Sequence, residues 1–134
     1  MSESKFKPGY VSPDAAEAAF YAAFAHCDIK AMETVWADAG VICIHPGSSA
    51  IVGRELVIRS WSHILTNAEP PILHIEVLSR TVHDDLVVHV VEEQIRQKNS
   101  SPESTLIVLA TNVYCLETDG WRLLEHHAST PGPR

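Results

Sequence analysis

At 134 residues the chain has room for one domain and one core. Its 46 % apolar and 20 % charged residues are the balance of a compact globular domain, too apolar for a chain disordered throughout. Seventeen Asp and Glu against ten Lys and Arg, a formal charge of −7, argue against a nucleic-acid backbone or an anionic membrane as partner at neutral pH.

The first eleven residues are polar, carry Pro8 and Gly9, and contain no apolar signal core. No run anywhere approaches the ~18 apolar residues of a membrane helix, so a cytoplasmic location is expected. Residues 1–11 and 130–134 are expected to be loose ends, leaving an ordered core of about 12–130 within a single domain over 1–134. Ser12-Pro13-Asp14 then opens a helix: a capping hydroxyl, proline at the first helical position, and an acid at the positive end of the helix dipole. Ala16, Phe20, Phe24 and Cys27 recur at helical spacing and give it a buried stripe. Asp28 caps a shorter second helix carrying Ile29, Met32, Val35 and Trp36, which Gly40 ends.

Val41-Ile42-Cys43-Ile44 reads as a short buried strand, stopped by His45-Pro46-Gly47. Gly53-Arg54-Glu55 opens a third helix with Val57, Trp61, Ile64 and Leu65 on one face, and Pro70-Pro71 closes it. Four strands follow, at 72–82, 86–97, 105–117 and 121–128, each rich in Val, Ile, Leu and Thr. Helices gathered ahead of an antiparallel meander predict an α+β domain with the helices on one face of the sheet.

The turn at His83-Asp84-Asp85 predicts Ile75 opposite Glu92 and His74 opposite Glu93, because a register shifted by two would set Glu76 against Glu93, two like charges face to face. Glu92 then shares a face with Leu73, Ile75, Val77, Val88 and Val90, either as a pocket group or at a strand end near water. Asp119-Gly120 suits a tight positive-φ turn and predicts Asn112 opposite His127, Val113 opposite His126, and a solvated Glu117–Arg122 pair. Adjacent strand residues face opposite ways, so only one of His126 and His127 can enter a cavity with His45. Both faces of 105–117 are apolar, Leu106, Val108, Ala110 and Tyr114 on one and Ile107, Leu109, Val113 and Cys115 on the other, so something is expected to cover the outer face.

Cys27, Cys43 and Cys115 have no paired spacing and sit in apolar surroundings, which predicts buried thiols rather than disulfides or a thiolate metal site. The His residues show no HxH or HxxxH spacing, so no native metal is expected. Neither a nucleophile elbow nor a glycine-rich phosphate loop is present.

A resemblance is carried by Phe20-Tyr21-Ala22-Ala23-Phe24 with Asp28, Met32 and Val35-Trp36; by Cys43-Ile44-His45-Pro46-Gly47; and by Gly53-Arg54 with Ser60-Trp61. It continues through Ala110-Thr111-Asn112-Val113-Tyr114, Asp119-Gly120-Trp121-Arg122-Leu123 and His126-His127-Ala128-Ser129. Over about residues 12–130 the chain resembles the NTF2-like superfamily, in particular its SnoaL-like, ketosteroid-isomerase-related bacterial branch. The resemblance implies a cone: three helices closed over a strongly curved, mostly antiparallel sheet, with a cavity between them and often a homodimer through the outer sheet face. The superfamily includes isomerases, dehydratases, polyketide cyclases and the association domain of a calmodulin-dependent kinase, so fold alone leaves the activity open. The acid and Tyr/Asp oxyanion set of ketosteroid isomerases has no residue-by-residue match here.

The expected pocket residues are Tyr21, Trp36, His45, Trp61, Glu92, Asn112, Tyr114, His126 and His127, with His45, Glu92, His126 and His127 as candidates for catalysis. The expected function is binding or converting a small apolar ligand by acid–base chemistry without a cofactor; the alternative is a non-catalytic dimeric assembly module.

Overall fold

The structure, a computed structural model, describes residues 9–132. The loose ends expected at 1–8 and 133–134 lie outside the described residues. Gly9 and Tyr10 are not loose. Tyr10 and Trp121 exchange backbone hydrogen bonds of 3.0 and 2.7 Å, so the chain enters the fold as a short antiparallel bridge on the last strand. The approach is close enough that a Cβ on Gly120, whose φ is +138°, would lie 2.5 Å from the Gly9 carbonyl carbon. Glycine is required there on both counts.

Helix α1 (Pro13–Ala25) begins where Ser12 Oγ accepts the Ala15 N–H at 3.0 Å. It buries Ala16, Glu17, Phe20, Tyr21 and Ala23. Helix α2 (Ile29–Val35) is capped by Asp28 in the same way and buries Met32 and Val35. Trp36 follows it, fully buried. Strand β1 (Ile42–Ile44) comes next, then β2 (Ile51–Val52), a two-residue strand too short to show a period in sequence. Helix α3 (Arg54–Thr66) buries Val57, Trp61 and Leu65. The meander is β3 (Ile72–His83), β4 (Leu86–Arg96), β5 (Leu106–Glu117) and β6 (Gly120–Ser129).

One six-stranded sheet results, in the order β2-β1-β6-β5-β4-β3, antiparallel except for the parallel β1–β6 pair. The helices cover its inner face, giving the α+β cone. The parallel pair sets Cys43 beside His126, so His45 emerges at the open end of the same edge. No described helix is long and apolar enough to cross a membrane.

Both expected registers are corrected by one residue. In β3–β4 the two-residue loop is Asp84-Asp85, with Asp84 at φ +48°, and Leu78 forms a bulge between Val77 and Ser79. Ile75 therefore opposes Glu93, and Glu76 opposes Glu92. A single-residue slip turns every side chain of a strand over, so β4 points Val87, His89, Val91 and Glu93 inward and Glu92 outward. The avoided pair, Glu76 with Glu93, does not form, but Glu76 faces Glu92 on the outer side of the sheet. Repulsion of unit charges in water is about 1 kcal/mol at contact distances, less than turning an aliphatic face to solvent. Gln94 Nε2 also donates to Glu92 at 2.9 Å.

In β5–β6, Asp119 keeps a negative φ, so the loop is Thr118-Asp119 and Gly120 already pairs with Glu117. Leu124 is then a bulge between Leu123, opposite Tyr114, and Glu125, opposite Val113. Arg122 is buried rather than solvated, donating to the Thr34 carbonyl at 2.6 Å and reaching Glu117 and Asp119.

Candidate functional site

A cavity of about 160 Å³ lies between α1, α3 and the inner face of the sheet, at the end where β1 runs out into His45. Its walls are mainly apolar: Phe24 and Trp61 from the helices, and Ile95, Leu106, Val108 and Ala128 from the sheet. Three titratable side chains interrupt them, Glu93, His126 and His45. The rings form one packed wall, with Phe24, His45 and His126 at 5.2, 5.0 and 5.9 Å from Trp61 between centroids, and Phe20 backing His126 at 5.0 Å.

Glu93 is 2 % exposed. Burial pushes its carboxyl up to about 7, against which the hydrogen bond from Tyr21 works. Tyr21 Oη donates to Glu93 Oε2 at 2.7 Å and accepts from Asn112 Nδ2 at 2.9 Å. The amide orientation of Asn112 follows: its Oδ1 faces His126 Nδ1 and needs a proton from it. His126 is thus assigned as the Nδ1–H tautomer, with the lone pair of Nε2 free. That Nε2 lies 4.0 Å from Glu93 Oε2. Full burial, then His45 and His127, pull His126 down to about 3, so at neutral pH the two face each other as a neutral imidazole and a carboxyl near its titration point rather than as an ion pair.

His45 is lowered by burial as well. Its Nε2 meets Ser60 Oγ at 3.0 Å, and the Ser60 hydroxyl proton is committed to the Val57 carbonyl at 2.8 Å, so Nε2 carries the imidazole proton. Cys43 Sγ lies 3.7 Å from the same nitrogen. Burial pushes the Cys43 thiol up to about 12, which removes it as a nucleophile. The Trp61 indole N–H is buried without an oxygen or nitrogen partner and faces that sulfur, a weak acceptor.

The sequence profile of the SnoaL-like domain matches residues 14–133. This chain belongs to the SnoaL-like domain family. Through it the chain is part of the NTF2-like superfamily. A Thiobacillus denitrificans structure named for the calcium/calmodulin-dependent protein kinase type II association domain is 36 % identical, with 94 % of this chain and 100 % of that chain covered at a TM-score of 0.88. A Streptomyces avermitilis structure named as an NTF2-like dehydratase is 30 % identical, with 88 % and 93 % covered at 0.77. A Parabacteroides distasonis structure named for ketosteroid isomerase shares the fold, at 18 % identity, 90 % and 89 % coverage and a TM-score of 0.71. Among curated proteins none matches.

Of the side chains expected in the SnoaL-like pocket, His45, Trp61 and His126 line the cavity. Tyr21 and Asn112 stand behind it and hold Glu93 and His126. Trp36 is core, edge-on to Phe20 at 6.2 Å. Glu92 and His127 face outward, each because a bulge or turn shifts its strand by one residue.

Tyr114 belongs to a second buried cluster, which sequence reasoning missed. Glu17 Oε2 receives the Tyr114 hydroxyl at 3.1 Å and lies 2.7 Å from His89 Nδ1. Asp14 lies 3.7 Å from the other His89 nitrogen and accepts from Arg80 Nε at 3.1 Å. Asp14, Glu17 and His89 are near enough to gather around a cation. His89 Nδ1 instead bonds Glu17, and Asp14 engages the Arg80 guanidinium, so the group ties α1 to the sheet. The available signal was Glu17 itself, an acid within the Ala16/Phe20 stripe. For Glu93 the sequence signal was a near tie between two aliphatic faces of β4.

Proposed function

We propose that the cavity binds a small, mainly apolar molecule bearing a carbonyl or hydroxyl group, and that Glu93 moves a proton on it. The observation that carries this reading is a buried carboxyl held at about 7 beside a neutral imidazole with a free lone pair. A group titrating near the working pH is efficient both at removing a proton from carbon beside a carbonyl and at protonating a departing hydroxyl. A hydroxyl group on the ligand donates to the free Nε2 of His126 and is oriented by it, whereas a carbonyl oxygen accepts from the protonated Glu93 carboxyl; His126 is too weak a base to carry the proton. The name of the Streptomyces avermitilis relative, a dehydratase, supports chemistry of this kind. The volume restricts the reacting group: about 160 Å³ is close to the ~150 Å³ of a cavity that holds benzene, too small for a steroid.

The test is deuterium exchange at the α-carbon of cyclohexanone in D₂O, followed by proton NMR. The wild-type protein should accelerate exchange, and Glu93→Gln should lower the rate about a hundredfold or more. Equal rates for the two proteins, or no acceleration by either, would remove Glu93 as proton carrier.

A second reading has its own observation. Ile107, Leu109, Val113 and Cys115 of β5 and Val88 and Val90 of β4 form a half-buried apolar band on the outer sheet face. Together with the association-domain name of the Thiobacillus denitrificans relative, this supports self-association through that face. The two readings use opposite faces of the sheet and are compatible.

A further inference from the structure

We propose that the ligand is an amphiphile whose polar head occupies the inner cavity and whose apolar tail lies in a groove on the outside of α3. The proposal rests on the cavity reading above and adds the class of molecule. The groove has a volume of about 830 Å³ and runs between α3 and the edge strand β2, over Ile51, Val52, Leu56 and Ile64. Val52 and Leu56 are 64 % and 51 % exposed there, two large aliphatic side chains that the fold leaves in water. A scattered exposed aliphatic needs no explanation, but these line one continuous depression.

What fixes the occupant is the wall the groove shares with the cavity. His45 and Ile64 line both, so the two spaces lie back to back. His45 is held by a hydrogen bond to Ser60 Oγ and edge contact with Trp61. It is followed by an exposed turn in which Gly47, at φ +74°, has nothing within 4 Å of its Cβ position. The proposal requires the imidazole to turn out of this shared wall, giving up its contact with Ser60. A ligand confined to the cavity is limited to about six carbons by comparison with benzene. One that also uses the groove reaches the several hundred Å³ usual for metabolite sites. The groove offers no buried charge to recognise a second polar end: its Arg59 is solvent-exposed and pairs with Glu55 at 3.1 Å. The matching chemistry is therefore one carbonyl or hydroxyl head followed by a plain hydrocarbon tail.

Isothermal titration with methyl ketones from 2-butanone to 2-undecanone, on the intact protein, tests this. Affinity should keep rising past six carbons, by roughly twofold to fourfold for each added methylene. Leu56→Glu, a change at an exposed helix position, should abolish that rise and leave 2-butanone and 2-hexanone affinities unchanged. Val52→Asp, on the other side of the groove, should do the same. A plateau at six carbons in the wild type, or a rise that both variants keep, overturns the groove and leaves the cavity reading standing. No binding by any ketone removes both.

Discussion

Replacing Glu93 by Gln should alter how stability depends on pH. Burial raises the Glu93 carboxyl from 4.5 to about 7, so the folded protein holds that proton more tightly than the unfolded chain. Its contribution is fully present below pH 4.5 and is lost as the pH rises through 7. At 1.36 kcal/mol per pKa unit the loss is about 3 kcal/mol. His126 works in the opposite sense: lowered from 6.5 to about 3, it contributes above 6.5 and loses that contribution as the pH falls toward 3. Between 4.5 and 6.5 the two slopes oppose one another, and the wild-type protein should be nearly flat with respect to this pair. Glu93→Gln keeps an oxygen to accept the Tyr21 hydroxyl but cannot ionise, leaving the His126 slope unopposed. Urea denaturation of both proteins across this range isolates the effect, because other groups cancel in the difference. The variant should gain on the wild type by about 3 kcal/mol between pH 4.5 and somewhat above 7. A difference constant with pH would mean that Glu93 ionises as in water, and the argument for it as proton carrier would fail.

Three further outcomes are expected. Trp61→Ala, which removes a side chain 2 % exposed among Phe20, Phe24 and His45, should cost about 3–5 kcal/mol by denaturant titration; a loss under about 1 kcal/mol would contradict its packing. Arg54 donates to the carbonyls of Glu33, Trp36 and Ala37 at 2.7, 2.7 and 3.1 Å, satisfying acceptors at and beyond the end of α2. Arg54→Ala should cost about 2–3 kcal/mol, and Arg54→Lys should recover less than half because an ammonium lacks the planar fork. Light scattering at micromolar concentration should give the mass of two chains for the wild type and one for Val113→Lys; a single-chain mass for the wild type would end the outer-face reading.

Local chemistry in the sequence was sufficient for the element order. Ser12, Asp28 and Gly53 stand at the three helix starts, and the stripes built on Phe20, Met32 and Trp61 are the ones buried. The four long strands lie within two residues of their expected bounds, because aliphatic runs between turn residues have few other ways to pair their backbone. The pairing of His45 with one of two neighbouring histidines was also legible, since adjacent strand residues face opposite ways. Which histidine and which glutamate could not be read. Val87 and Val91 on one face of β4 are matched by Val88 and Val90 on the other, so composition does not choose between them. The choice lies with the Leu78 and Leu124 bulges and with turns one residue away from the expected ones. Each shift reverses a whole strand at little local cost, and what selects it is the packing of all six strands under the helices. That packing buried Glu93 and His126 beside the cavity, where the cost of burying charge makes an ordinary carboxyl titrate near neutrality.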